Sequence, residues 1–175
     1  MSTKGPEQHP YNPALKPKLC QEPPILRHIQ GFYGLELNAG IAAIGKFLTL
    51  EGSYYLSSCW QNKLGLGAGM EKSKSITYKI FFLQPTIVYT LFSNKRNCYV
   101  NMLGGGLFSY EHYQEQRQKK ERHNFNVGLV MGGELALFFL YRYELLLAAG
   151  PRVFFFDNPY GQLDYYLSLG LRLTF

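Results

Sequence analysis

Hydrophobic and polar residues alternate along most of this chain from about residue 31, and the alternation is cleanest at the C-terminus. In YYLSLGLRLTF, residues 165–175, every second residue is apolar, and the residues between are mostly small or polar. A period of two predicts a β-strand whose two faces meet different surroundings. No window follows the helical spacing i, i+3, i+4 as well as it follows this period. The chain from residue 31 onward is therefore predicted to be all-β.

Eight such segments, separated by turn-forming residues, predict an eight-stranded antiparallel up-and-down β-barrel. The predicted strands cover about 32–43, 47–57, 63–71, 79–92, 98–111, 125–138, 143–154 and 165–175. The phase of the fifth strand is unclear around GGG at 104–106, where we expect a β-bulge. The longest hydrophilic stretch, EHYQEQRQKKERHN at 111–124, is predicted to be a solvated loop.

The first 30 residues have a different texture. Six of the nine prolines fall within the first 24 residues, and this stretch is polar. We predict two parts, an extended or disordered Pro-rich tail over 1–30 and a barrel over 31–175. The tail lacks the apolar core of a signal peptide. A misplaced start, or numbering that begins after a leader, would reconcile this with export.

The polar face indicates what the apolar face meets. A soluble barrel of the lipocalin kind carries many Lys, Glu and Asp residues on its outer surface. Here the polar face consists of Gly, Ser, Thr, Asn, Gln and a few single charges, which are typical of a narrow barrel interior. Charged residues are 17% of the chain, against roughly 25% in an average soluble domain. We therefore predict that the apolar face meets lipid and that the barrel is a transmembrane one.

Charges inside a packed barrel must be paired, and the last hairpin offers two pairs. A single antiparallel register places Arg152 opposite Asp164 and Glu144 opposite Arg172. Glu36, on the neighbouring first strand, is within reach of Arg172. We interpret these charges as structural ion pairs in the lumen without chemistry of their own. The predicted set is Glu36, Glu134, Glu144, Arg152, Asp164 and Arg172.

An even number of strands places both ends of the barrel on one side of the membrane, which we expect to be the periplasmic side. The predicted periplasmic turns lie near 58–62, 93–97 and 139–142. The predicted outward connections lie near 44–46, 72–78, 112–124 and 155–162.

Two features suggest relatives. The terminal strand ending in Phe175 resembles the C-terminal assembly signal of outer-membrane barrels. From about residue 30 the chain resembles the TraO-type conjugal transfer proteins of Bacteroidetes conjugative transposons. The stretches that carry this resemblance are GLELNAG at 34–40, LEGSYYLS at 50–57, VGLVMGGELALFFLYRYELLLAAGPR at 127–152 and YLSLGLRLTF at 166–175.

The resemblance implies a non-enzymatic component of a conjugative DNA-transfer apparatus, an anchor or docking protein in the outer membrane of a Gram-negative cell. An eight-stranded barrel is filled by its own side chains, so we expect no DNA conduit. The expected partners are outer-membrane lipid and other conjugation proteins, without direct nucleic-acid contact or a small-molecule substrate. We expect no catalytic residue and no cofactor. We also expect no metal, because the three cysteines show no CxxC spacing.

Two alternatives remain for a small barrel of this kind. Some outer-membrane barrels act on lipid acyl chains, using a histidine with a serine and an acid near the outer rim. His112 and His123 would lie near that rim, with Ser109 and Glu121 close in sequence, although no spacing compels a catalytic arrangement. The other alternative is a surface-adhesion or porin-like barrel outside conjugation.

Overall fold

The computed structural model describes residues 30–43, 45–72, 76–94, 97–115, 120–140, 142–156 and 161–175. Eight strands account for almost all of them. They are β1 (Tyr33–Ala42), β2 (Gly45–Tyr55), β3 (Trp60–Lys72), β4 (Ile76–Ser93), β5 (Cys98–Glu115), β6 (Lys120–Leu140), β7 (Tyr143–Phe154) and β8 (Leu163–Thr174). Among the described residues there is no helix with the length and apolarity needed to cross a bilayer. The predicted tail lies, except for residue 30, outside the described residues.

The strands form one closed barrel in sequence order, in which every strand is antiparallel to its neighbours. The first and last strands close it, and this confirms the predicted fold class. At the seam the Tyr33 amide donates to the Phe175 carbonyl over 3.1 Å, and the Phe175 amide donates to the Tyr33 carbonyl over 2.9 Å. The final residue of the chain therefore takes part in closure, and no strand edge is left open.

The last hairpin has the predicted register, with Glu144 opposite Arg172 and Arg152 opposite Asp164. Successive residues of β8 alternate between the two faces of the sheet, and the apolar face points outward. Leu169 is 55% exposed, whereas Arg172 is completely buried. The barrel thus has a leucine-rich outside and a lumen that contains its charges.

The strand termini define two ends of the barrel, the turn end and the loop end. The turn end carries Tyr33, Tyr55, Trp60, Ser93, Cys98, Leu140, Tyr143 and Thr174. The loop end carries Ala42, Gly45, Lys72, Ile76, Glu115, Lys120, Phe154 and Leu163. Both ends of the barrel sequence thus lie at the turn end, as predicted for an even number of strands.

The predicted loop 111–124 is wrong over most of its length. β5 continues to Glu115 and β6 begins at Lys120, and their pairing is continuous from Glu111 opposite Asn124 onward. Backbone pairing holds a hairpin together whatever its side chains are, so a hydrophilic stretch can remain strand where it extends beyond the apolar part of a barrel. The predicted turn at 58–62 is also displaced, because β3 begins at Trp60.

The bulge expected at 104–106 is absent. The register between β4 and β5 runs without a shift through Gly104 and Gly105, and the irregularity lies between Thr90 and Phe92 instead. A glycine is needed at position 105 for a different reason, because a Cβ there would collide with the backbone carbonyl of Pro85. This glycine therefore allows a close approach of two strands.

Candidate functional site: the outer surface and the interior of the barrel

A continuous apolar band surrounds the barrel. The registers of the first four strands align Leu37, Leu50, Leu66 and Leu83 in one row. All four side chains are exposed, Leu66 by 62%. Soluble proteins rarely leave a contiguous apolar surface of this extent open to water.

Aromatic side chains flank this band at both ends. At the turn end, Trp60 lies against Tyr89 with ring centres 4.7 Å apart, and Tyr33 lies 5.0 Å from Tyr54. At the loop end the exposed aromatic residues are Tyr110, Phe125, Phe155, Phe156 and Tyr165. Paired aromatic girdles around an apolar band mark the two interfaces of a bilayer in membrane barrels.

Inside the turn half of the barrel, Arg172 is the centre of a group of buried carboxylates. Its Nη1 lies 2.8 Å from Glu144, and its Nη2 lies 2.8 Å from Glu36 and 3.3 Å from Glu134. These carboxylates reach it from three different strands. The guanidinium fork suits such multiple pairing, because its five N–H donors point in fixed directions.

Lys63 is a second cation of this group and was not predicted from the sequence. Its Nζ lies 3.1 Å from Glu36 and also pairs with Glu134, and only 5% of the residue is exposed. Its position on β3 carried a signal, because Lys63 shares the inward face with Gly65 and Gly67. We call the five residues Glu36, Lys63, Glu134, Glu144 and Arg172 the charged network.

Neutral side chains satisfy the remaining oxygens of the charged network. Asn38 donates to Glu36 over 2.8 Å, and Asn101 donates to Glu134 over 2.9 Å. The hydroxyl of Thr174 donates to Glu144 over 2.9 Å, and Arg172 donates to the Tyr55 hydroxyl over 3.1 Å. Buried charges are tolerated only when they are paired and hydrogen-bonded in this way.

The loop half of the lumen has a different character. The guanidinium of Arg152 lies 4.5 Å from the ring centre of Phe47, 5.2 Å from that of Phe82 and 4.7 Å from that of Tyr166. We call these four residues the aromatic cluster. Asp164 makes no ion pair with Arg152, although the two face each other in register, and accepts instead from the Ala43 amide over 2.7 Å.

The loop half of the interior is therefore less polar than the sequence pattern predicted. Large rings occupy inward positions next to glycines of the neighbouring strand. Phe47 lies opposite Gly40, Phe82 lies opposite Gly67, and a Cβ on either glycine would meet the ring. Glycine thus creates the space that an aromatic residue fills.

The serine of the enzymatic alternative does not lie with its two histidines. Ser109 points into the lumen and is 1% exposed, and its hydroxyl donates to Glu111 over 3.4 Å. His112 and His123 face each other on the outside of the barrel. A serine nucleophile needs its base within hydrogen-bonding distance, so this serine and these histidines do not form a catalytic pair.

Comparisons with known proteins establish a likeness of fold. No family model matches the chain, and no curated protein matches it. Among solved structures, a major outer membrane protein from Thermus thermophilus superposes with a TM-score of 0.68 and 13% identity, over 83% of this chain and 99% of that one. Neisserial surface protein A gives a TM-score of 0.66 and 11% identity, over 82% and 96%. The N-terminal β-barrel domain of Pseudomonas aeruginosa OprF gives 0.62 and 10%, over 83% and 98%.

This chain has the fold of eight-stranded outer-membrane β-barrels. The match covers nearly the whole of each of those barrels, so strand number and closure agree throughout. At 10–13% identity the likeness concerns the fold alone. What distinguishes this barrel must therefore be derived from its own lumen and its own strand ends.

Proposed function

We propose that this chain is a non-enzymatic outer-membrane β-barrel that acts as an anchor or docking component of a conjugative DNA-transfer apparatus. The observation that carries the membrane part of the proposal is the exposed leucine band between two aromatic girdles. The conjugative part rests on the resemblance to TraO-type proteins in four stretches, 34–40, 50–57, 127–152 and 166–175.

The filled lumen supports an anchor rather than a conduit. The charged network fills the turn half and the aromatic cluster fills the loop half, and a cavity of about 30 Å³ lies between them. A cavity of this size has room for a water molecule, whereas single-stranded DNA needs a far wider passage. The tail 1–30 or the strand connections would then contact other transfer proteins. No direct contact with nucleic acid is expected.

The separated serine and histidines support the non-enzymatic part of the proposal. In addition, the buried carboxylates of Glu36, Glu134 and Glu144 are engaged by Arg172 and Lys63 rather than facing a substrate. Holding the strands in register is a sufficient role for the charged network.

Insertion into a bilayer is tested by a charge on the lipid face. Leu169, in the middle of β8, and Leu163, at its loop end, are both exposed. An arginine costs about 2–4 kcal/mol at the bilayer midplane and about 0–1 near the interface. We expect Leu169→Arg to destabilise the barrel in lipid vesicles much more than Leu163→Arg, as measured by urea unfolding followed through Trp60 fluorescence. Equal effects of the two changes would contradict a membrane-spanning barrel.

The conjugative role is tested in cells. The chain should fractionate with the outer membrane, and in-frame deletion of its gene in a donor should lower transfer frequency, with recovery on complementation. Deletion in the recipient alone should leave transfer unchanged. Outer-membrane fractionation with unaltered transfer would retain the barrel and reject conjugation in favour of an adhesion or porin-like role.

A further inference from the structure

Two histidines and a glutamate stand together on the outside of the barrel, beyond the aromatic girdle of the loop end. Three successive outward-facing pairs join β5 to β6 there. Tyr110 lies opposite Phe125, His112 lies opposite His123, and Gln114 lies opposite Glu121. The first of these pairs belongs to the girdle, so the next two lie on its solvent side.

The ligand atoms of this group are close together. Atoms of His112, Glu121 and His123 that can bind a metal all lie within 4.8 Å of one another. The Nε2 atom of His112 is 3.9 Å from Glu121 Oε2, and the centres of the two imidazole rings are 4.6 Å apart. Zinc at its usual bond lengths would require its ligand atoms to be about 3.3 Å apart. Small rotations of these side chains on the exposed surface would bring the ligand atoms to that distance.

Neighbouring side chains already orient two of the three ligands. The Tyr110 hydroxyl lies 2.7 Å from His123 Nδ1, which leaves the Nε2 atom of this ring for a metal. Gln114 donates to Glu121 Oε1 over 3.2 Å, which leaves Oε2 directed toward His112. Outer partners of this kind fix the orientation of ligands in natural metal sites.

We propose that His112, His123 and Glu121 bind a divalent transition metal, with zinc as the best fit. Two imidazoles and one carboxylate suit zinc, whereas calcium and magnesium prefer oxygen ligands alone. Three protein ligands leave a fourth position for water. The ion would join β5 to β6 outside the membrane. The proposal revises the expectation, drawn from the cysteines, that the chain binds no metal, and it is independent of a role in conjugation.

The test is zinc titration of the full chain, refolded in detergent without a polyhistidine tag, by isothermal calorimetry. We expect one zinc ion per chain and no comparable binding of calcium. His123→Ala should weaken binding by at least about 100-fold, and Tyr110→Phe by about 10-fold, the range that the loss of an outer partner costs. The matched control replaces the two other histidines, His9 and His28, with alanine and should bind zinc as the wild type does.

A second measurement distinguishes a lost site from a lost fold. The variants at Tyr110, His112 and His123 should keep the barrel's gel shift on heating, because these side chains lie on the outside of the barrel. Cobalt bound in place of zinc should give a visible absorption spectrum that His112→Ala abolishes. Unchanged zinc affinity in His112→Ala and His123→Ala, or loss of zinc binding in the tail control, would overturn the proposal.

Discussion

In the turn half of the barrel Arg172 is surrounded by carboxylates, whereas in the loop half Arg152 is surrounded by aromatic rings. Both side chains are buried, with 0% and 2% exposed. Arg172 donates to carboxylates from two sides, but the Nε and Nη1 atoms of Arg152 have no hydrogen-bond partner among the described residues. Two arginines of equal burial thus depend on different interactions.

The difference shows that a barrel lumen can be filled by two kinds of chemistry. An ion-pair network is directional, so it fixes which strands meet and in which register. Rings packed on glycines fill volume and tolerate small rearrangements. We therefore expect the charged network to respond most strongly to substitution and the aromatic cluster to respond mainly to changes of volume.

The largest effect is expected from Arg172→Met. This change leaves Glu36, Glu134 and Glu144 in the lumen with Lys63 as their only cation within the charged network. Removing one member of a buried ion-pair group costs about 3–5 kcal/mol. The free energy of unfolding in lipid vesicles, measured with urea and Trp60 fluorescence, should fall by this amount.

The matched control for this change is Arg142→Met, at an exposed arginine of the turn end. A surface substitution of this kind should stay within about 0.5 kcal/mol of the wild type. If Arg172→Met lost less than about 1 kcal/mol, against the 3–5 kcal/mol expected of a buried ion-pair group, the charged network would not be the element that fixes the register.

Sequence alone predicted the wall of the barrel better than its contents. The alternation predicted the number of strands and which face of each strand points outward. The charges at Glu144 and Arg172, and at Arg152 and Asp164, predicted the register of the last hairpin. These are properties of single strands or of neighbouring strands. Contacts across the lumen depend on how far the strands are staggered around the barrel. For this reason the meeting of Lys63 with Glu134, from strands that are not adjacent, was not predicted.

The aromatic cluster was missed for a related reason. Phe47 and Phe82 share their face with polar residues such as Thr49 and Gln84, so their inward direction could be read from the sequence. Their convergence on Arg152 could not be predicted, because it depends on which strands face each other across the lumen. The register predicted Asp164 as the partner of Arg152, but Cα pairing does not determine the direction of two long side chains.

An intermediate effect is expected from Gly67→Ala. The added Cβ would collide with the ring of Phe82, and overpacking of this kind costs about 1–3 kcal/mol. The matched control is Gly104→Ala, on the outer face of β5, where no atom lies within 4 Å of the new Cβ. Urea unfolding should show a loss for the first change only. Combining Gly67→Ala with Phe82→Leu should recover part of it, and purely additive effects would contradict the proposed ring–glycine contact.

The smallest effect is expected from Arg152→Met, although this arginine is as buried as Arg172. Methionine removes three cation–π contacts, each worth up to about 2 kcal/mol when desolvated. It also removes two buried nitrogens without a described partner, each of which costs about 1–3 kcal/mol. The two contributions oppose each other, so the free energy of unfolding should change by about 1 kcal/mol or less, in either direction. Measured beside Arg172→Met in the same vesicles, an equal loss of about 3–5 kcal/mol for both arginines would mean that Arg152 is paired with a carboxylate after all, and the contrast between the two halves of the lumen would fail.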